Sequence, residues 1–150
     1  MKDLIKKILK EETKDEYILE IPNLRFIPNA DLETPEGKTE TWNELLRLLN
    51  GKPFIFDDDL NLSYTEITSL GNLQSVNGGL DLYKCNQLTS LGNLQSVGGD
   101  LGLSWCDNLT SLGNLKSVGG DLNLFGTLIS KKYSEEEIRQ MVNNKGKIIF

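Results

Sequence analysis

Residues 80–100 read LDLYKCNQLTSLGNLQSVGGD and residues 101–121 read LGLSWCDNLTSLGNLKSVGGD, agreeing at 15 of 21 positions. The preceding block, LNLSYTEITSLGNLQSVNGG at 60–79, is one residue shorter ahead of its TSLGNL, and a partial unit, LNLFG, follows from Leu122. Leu-x-Leu pairs therefore begin at 60, 80, 101 and 122. A repeat of this length marks a chain that coils on itself, because one unit cannot bury its apolar face alone and stacked units can. About three and a half coils of 20–21 residues are expected.

Within a unit, Leu101 and Leu103 are two residues apart and point to one side of a strand. Leu109, Leu112, Leu115 and Val118 then recur every third residue, too tightly for a strand and too interrupted by Gly113, Gly119 and Gly120 for a long helix. A chain rounding a corner presents inward residues at that rhythm. In the second coil the inward set is Leu80, Leu82, Leu88, Leu91, Leu94 and Val97. The Leu-x-Leu strands are expected to stack as a parallel sheet, ~4.8 Å apart. The glycine pairs at 98–99 and 119–120 supply either positive φ or close backbone approach.

The pattern LxLxxCxxL at 101–109, with its twin at 80–88, resembles the leucine-rich-repeat signature with one extra residue before the final leucine. The continuation LxxLxxLxxVxGxLxL, from Leu88 to Leu103, is similar to the repeats of receptor L domains and to small solenoids encoded by phages and bacteria. The resemblance covers about half the chain. It implies an α+β molecule built on a short leucine-rich, right-handed β-solenoid with helical N- and C-terminal caps. It also implies that Cys85 and Cys106 point inward and hydrogen-bond the backbone at a bend, while the first coil, lacking a cysteine there, satisfies its bend differently. The phage analogy implies a viral protein that disables a host defence or other host factor.

Outside the repeat, residues 1–56 read as an α/β cap, 57–129 as the solenoid and 130–150 as a helix–strand cap, all in one folded unit. Leu4, Ile5, Ile8 and Leu9 have helical spacing, YILEI at 17–21 suits a strand, and 22–39 is rich in turn formers. Thr41 and Glu44 suggest a capping box for a helix ending at Leu49, before Asn50-Gly51 and Pro53. Phe54-Ile55-Phe56 reads as a strand. Ser134 and Glu137 suggest a second capping box, with Ile138, Met141 and Val142 on the buried face and Asn144 and Gly146 as a stop. Lys147–Phe150 is expected as a last strand, a lid protecting the sheet edge.

The net charge is −6, with 9 basic and 14 acidic residues in 1–59, two and five in 60–121, and five and three in 122–150. Such a chain repels phosphate backbones, so direct nucleic-acid binding is not expected. A basic partner is compatible with it. No apolar run approaches the ~18 residues of a membrane span, and charges interrupt any signal-like stretch in MKDLIKKILKEE, so a cytoplasmic setting is expected.

There is no histidine, and no acid–base pair stands out. No enzyme, cofactor or metal is therefore expected; two thiols without histidine do not make an ordinary zinc site. Asp57-Asp58-Asp59 has the oxygens a hard cation wants, but neighbours in a strand diverge, which favours turn or edge charges. Asn72, Asn93 and Asn114 suit a hydrogen-bonded ladder and tolerate left-handed backbone, and Ser69, Ser90 and Ser111 are read as ladder residues too.

What differs between coils is Asn61, Ser63 and Tyr64; Asp81, Tyr83 and Lys84; Gly102, Ser104 and Trp105; and Asn123 and Phe125, all expected to face solvent. If the coils stack in register the aromatics fall near one another, either as a recognition surface or packed under a cap. The expected function is non-enzymatic protein binding through Tyr64, Asp81, Tyr83, Lys84, Trp105 and Phe125. The alternatives are an acidic mimic that sequesters a nucleotide- or nucleic-acid-binding site, and a structural or self-assembling protein.

Overall fold

A computed structural model describes residues 18–150. The helix expected over 1–11 lies outside them. In chain order the elements are β1 (Leu19–Ile21), α1 (Pro35–Leu49), β2 (Phe54–Phe56), β3 (Leu60–Asn61), β4 (Leu73–Val76), β5 (Leu80–Asp81), β6 (Ser96–Val97), β7 (Leu101–Gly102), β8 (Ser117–Val118), β9 (Leu122–Asn123), α2 (Leu128–Lys132), α3 (Glu135–Met141), β10 (Asn143–Asn144) and β11 (Ile148–Ile149).

The chain alternates between two parallel sheets, ordered β1-β2-β4-β6-β8-β10 and β11-β9-β7-β5-β3. Each coil places one rung in each. Register follows the repeat: Leu80 pairs with Leu101 and Leu101 with Leu122, while Ser96 pairs with Ser117. Only the Leu-x-Leu sheet was expected. The other runs through the Ser-Val steps, where Val76, Val97 and Val118 point into the core. Two-residue strands are too short to show alternation in sequence.

Between the sheets lies one apolar column. The six inward aliphatics expected of the second coil are all buried, as are Leu60, Leu62, Ile67, Leu70, Leu73 and Val76 of the first. In the third coil Leu112 is only half-buried. Helices replace the next leucine corner there, and Leu112 lines a cavity of about 330 Å³ with Ile129, Tyr133 and Met141. The glycine pairs act by close approach: a Cβ on Gly98 would overlap the Asn77 carbonyl oxygen, and one on Gly119 the Gly98 carbonyl oxygen. The glycines at positive φ are instead Gly71, Gly92 and Gly113 of the TSLGNL corner, with Gly51 and Gly126.

Stacking runs on at both ends. β2 pairs with β4 through an irregular register at Phe54/Ile55, beside the coil that is one residue short. β1 pairs with β2, and α1 occupies the return between them. That helix starts earlier than Thr41. Thr34 is its N-cap, with Oγ1 accepting from the Gly37 N–H at 3.0 Å, and Pro35 enters the first turn, where its missing donor costs nothing. Thr41 is buried within the helix, and Glu44 instead pairs with Arg47. Trp42 covers the first coil: its ring lies 5.9 Å from that of Phe54 and its Nε1 donates to the Ser69 carbonyl at 3.0 Å.

At the other end the Ser134–Glu137 capping box is present in both directions, and Ile138 and Val142 are buried while Met141 is exposed. The last strand lies against the final coil and covers the β9 edge of its sheet, as expected. β10 pairs in parallel with β8 and β11 with β9, so 143–149 form a further rung in both sheets. No helix among the described residues is long and apolar enough to cross a membrane.

Candidate recognition face

The outer side of the second sheet is assembled from short local rules repeated in each coil. The residue between the paired leucines turns the chain: Asn61 Oδ1 accepts from the Ser63 N–H and Asp81 Oδ1 from the Tyr83 N–H, both at 2.9 Å, and Asn123 Oδ1 from the Phe125 N–H at 3.1 Å. Such Asx turns need a short side-chain oxygen. Gly102 has none and leaves a gap in the row.

Two residues after the second leucine the backbone is left-handed in every coil: Tyr64 at φ 63°, Lys84 at 57°, Trp105 at 59° and Gly126 at 78°. This turns the following residue inward. Thr65, Cys85, Cys106 and Thr127 all occupy that position and are buried. Cys85 Sγ donates to the Leu62 carbonyl at 3.1 Å and Cys106 Sγ to the Leu82 carbonyl at 3.0 Å, tying each coil to the one before. Thr65 and Thr127 instead donate Oγ1 within their own coils, to Leu62 and Leu124, both at 2.7 Å. The first coil thus satisfies its bend with a threonine. Burial raises both thiols above their ordinary value, Cys106 to about 12. Both are free, protonated and shielded, and they belong to the fold.

The side chains carried by the left-handed positions and their neighbours meet across coils. Tyr64 and Tyr83 pack edge to face at 5.1 Å, and Trp105 and Phe125 do so at 5.2 Å. The Lys84 ammonium lies 5.7 Å from the Tyr64 ring centre and 5.5 Å from that of Tyr83. Among the described residues no cap covers them: Tyr64 is 53%, Trp105 42% and Phe125 45% exposed. Tyr83 is half-buried beneath them and Lys84 is open. Ser63, expected to face solvent, is buried, with its Oγ donating to Asn61 Oδ1 at 2.6 Å.

Beside this stripe runs a groove of about 800 Å³, open along the coils. Asp59, Asp81, Asp100 and Asp121 line it, with Tyr83 and Ser104 toward the aromatic stripe; among the described residues no lysine or arginine lines it. Asp59, Asp100 and Asp121 share the slot before three of the four leucine pairs, Gly79 holding it before Leu80, and each Oδ1 accepts a backbone N–H from the next coil: Gly79 at 2.7 Å, Asp121 at 2.7 Å and Lys147 at 2.8 Å. One carboxylate oxygen per residue therefore staples rungs. The groove went unread in the sequence; its signal was the combination of Gly102 with the recurring Gly-Gly-Asp.

The Asp57–Asp59 triplet diverges as expected. Asp57 accepts from Asn77, Asp58 from the Asp59 N–H, and Asp59 from Gly79. Among the described residues no group of three possible ligands is arranged to hold a metal. The asparagine ladder is present, Asn93 Nδ2 donating to Asn72 Oδ1 at 3.2 Å and Asn114 Nδ2 to Asn93 Oδ1 at 3.4 Å. Left-handed backbone there falls on the preceding glycines instead. The serine hydroxyls act locally: Ser69, Ser90 and Ser111 accept from the N–H of Gly71, Gly92 and Gly113 at 2.8, 3.0 and 2.9 Å. No protein-family model, curated protein or solved structure matches this chain.

Proposed function

We propose that this chain is a non-enzymatic recognition scaffold: a right-handed, leucine-rich coil that binds a protein partner through the outer face of its second sheet. Tyr64, Asp81, Tyr83, Lys84, Trp105 and Phe125 are the contact residues in this reading. The observation that carries it is the column of left-handed residues. The fold asks for left-handed backbone at one position per coil, and at the last coil glycine provides it without steric cost. Tyrosine, lysine and tryptophan there cost about 1–2 kcal/mol each. The ring pairs return about 0.5–1.5 kcal/mol apiece, and Lys84 over its rings about 0.5–1. Folding thus gains little from side chains that it leaves in solvent. Exposed, adjacent Tyr and Trp are the residue types on which protein interfaces concentrate binding energy.

The test is capture of partners from cell lysate by the full chain, compared with a Tyr83→Ala, Lys84→Ala, Trp105→Ala variant of matched circular dichroism. A partner retained by the parent and lost by the variant is the expected result. Equal capture refutes the face. Light scattering across a concentration series runs beside it, and a mass that grows with concentration would make the face a self-association surface.

A further inference from the structure

Accepting the recognition face, its groove has a chemistry of its own. Four carboxylates, Asp59, Asp81, Asp100 and Asp121, line an open channel with no cation among its described lining residues. The three slot aspartates each commit one oxygen to the neighbouring coil, and Asp81 commits one to the Tyr83 N–H. Their carboxylates are thereby held in place while the second oxygens stay uncommitted by those bonds. Gly102 opens the middle of the channel, since the floor row carries no side chain there. Tyr83 forms part of one side and offers its ring to one flank of a bound segment. Asp59 to Asp121 spans three steps between rungs, ~14 Å at ~4.8 Å each, which an extended segment of about four residues covers.

We infer that the groove takes an extended lysine- or arginine-bearing segment of a protein partner, its cations on the aspartate row and one side of the segment against Tyr83. The occupant is set by charge complementarity: a channel whose charged lining, among the described residues, is all acidic attracts cations and repels acidic or phosphorylated segments. Carboxylates that are already oriented give up less freedom on binding than mobile surface acids.

The probe is a fluorescein-labelled (Gly-Lys-Gly-Arg)₄ peptide, titrated by anisotropy into the full chain at 150 mM salt, with (Gly-Glu-Gly-Glu)₄ as its counterpart. Saturable 1:1 binding of the cationic peptide alone is expected. Replacing Asp59, Asp81, Asp100 and Asp121 together by asparagine keeps an oxygen for every backbone N–H and removes the charge, and should weaken binding at least ten-fold. A second variant, Glu33→Gln, Glu36→Gln, Glu40→Gln and Glu136→Gln, changes net charge equally at exposed sites elsewhere and should shift affinity less than two-fold. Absence of saturable binding, equal binding of the acidic peptide, or equal loss in both variants overturns the inference. A captured partner that the asparagine variant still holds but the Tyr83, Lys84, Trp105 variant does not would also overturn it, while leaving the recognition face standing.

Discussion

Replacing Cys106 by threonine should make the fold more resistant to alkali. Cys106 is fully buried with its Sγ on the Leu82 carbonyl, and burial raises the thiol from the ordinary 9.0 to about 12. In the unfolded chain the thiol ionises near the ordinary value, whereas in the folded chain it stays protonated. A group whose folded value is raised in this way contributes stability that is fully present below the unfolded value and is lost as pH climbs toward the folded one. At pH 10, one unit above the ordinary value, the loss relative to pH 7 is about 1.4 kcal/mol. Threonine is the informative replacement because Thr65 and Thr127 occupy the same coil position, buried, with Oγ1 on a carbonyl of their own coil. Urea unfolding at pH 7 and pH 10 gives the two stabilities for each protein, provided the denaturant slope is unchanged. The parent should lose about 1.4 kcal/mol more than the variant over that interval. Equal losses would mean that the thiol ionises freely in the folded chain, and the buried ladder would be refuted. Burial also raises Cys85, so adding Cys85→Thr should deepen the protection.

Gly98→Ala should destabilise the fold by about 1–3 kcal/mol, because its Cβ meets the Asn77 carbonyl of the next rung and the backbone must shift; an unchanged urea midpoint would show that the rungs are not that close. Ser134→Ala removes the N-cap of α3 and should cost about 1 kcal/mol, seen as a lower Tm.

The sequence was legible wherever one physical rule acted on consecutive residues. Leucines at fixed intervals, the Ser134–Glu137 box and the asparagine column follow from local spacing, and all three are present. Misreadings arose where two rules competed. Thr41 and Glu44 have capping-box spacing, but Thr34 followed by Pro35 opens the helix sooner, leaving Thr41 in its interior. Met141 has the helical phase of a buried residue, yet α3 is only seven residues long and turns Ile138 and Val142 inward instead. Lys147–Phe150 reads as a strand against the last coil and supplies one, but the rung that Asn143–Asn144 adds to the other sheet is too short to be read. The aromatic stripe was legible in its members, though not in its exposure, which depends on where the caps go. The described parts of both caps, with α1, α2 and α3, leave the stripe exposed. The groove was not legible because it depends on a missing side chain, that of Gly102, and on aspartates from separate coils that only stacking brings together.

The geometry of the coil separates the residues that determine shape from those that carry the proposed recognition. An inward residue packs on its counterparts in the coils above and below, so one altered leucine disturbs three layers, and the column admits little variety. The outward rows are joined across coils through backbone hydrogen bonds, such as Tyr64 N–H to the Tyr83 carbonyl at 2.7 Å and Trp105 N–H to that of Phe125 at 2.9 Å. Their side chains are not part of that ladder. One position of that row is accordingly Ser63 (buried), Tyr83, Ser104 and Phe125 in successive coils, yet φ of the next residue stays between 57° and 63° from Tyr64 to Trp105. Large changes in side-chain volume leave the backbone where it was. A partner that reads this face therefore reads side-chain identity on a nearly invariant backbone. Substitutions along the face should change affinity far more than stability, whereas the same change in bulk at Leu82 or Leu103 would do the reverse.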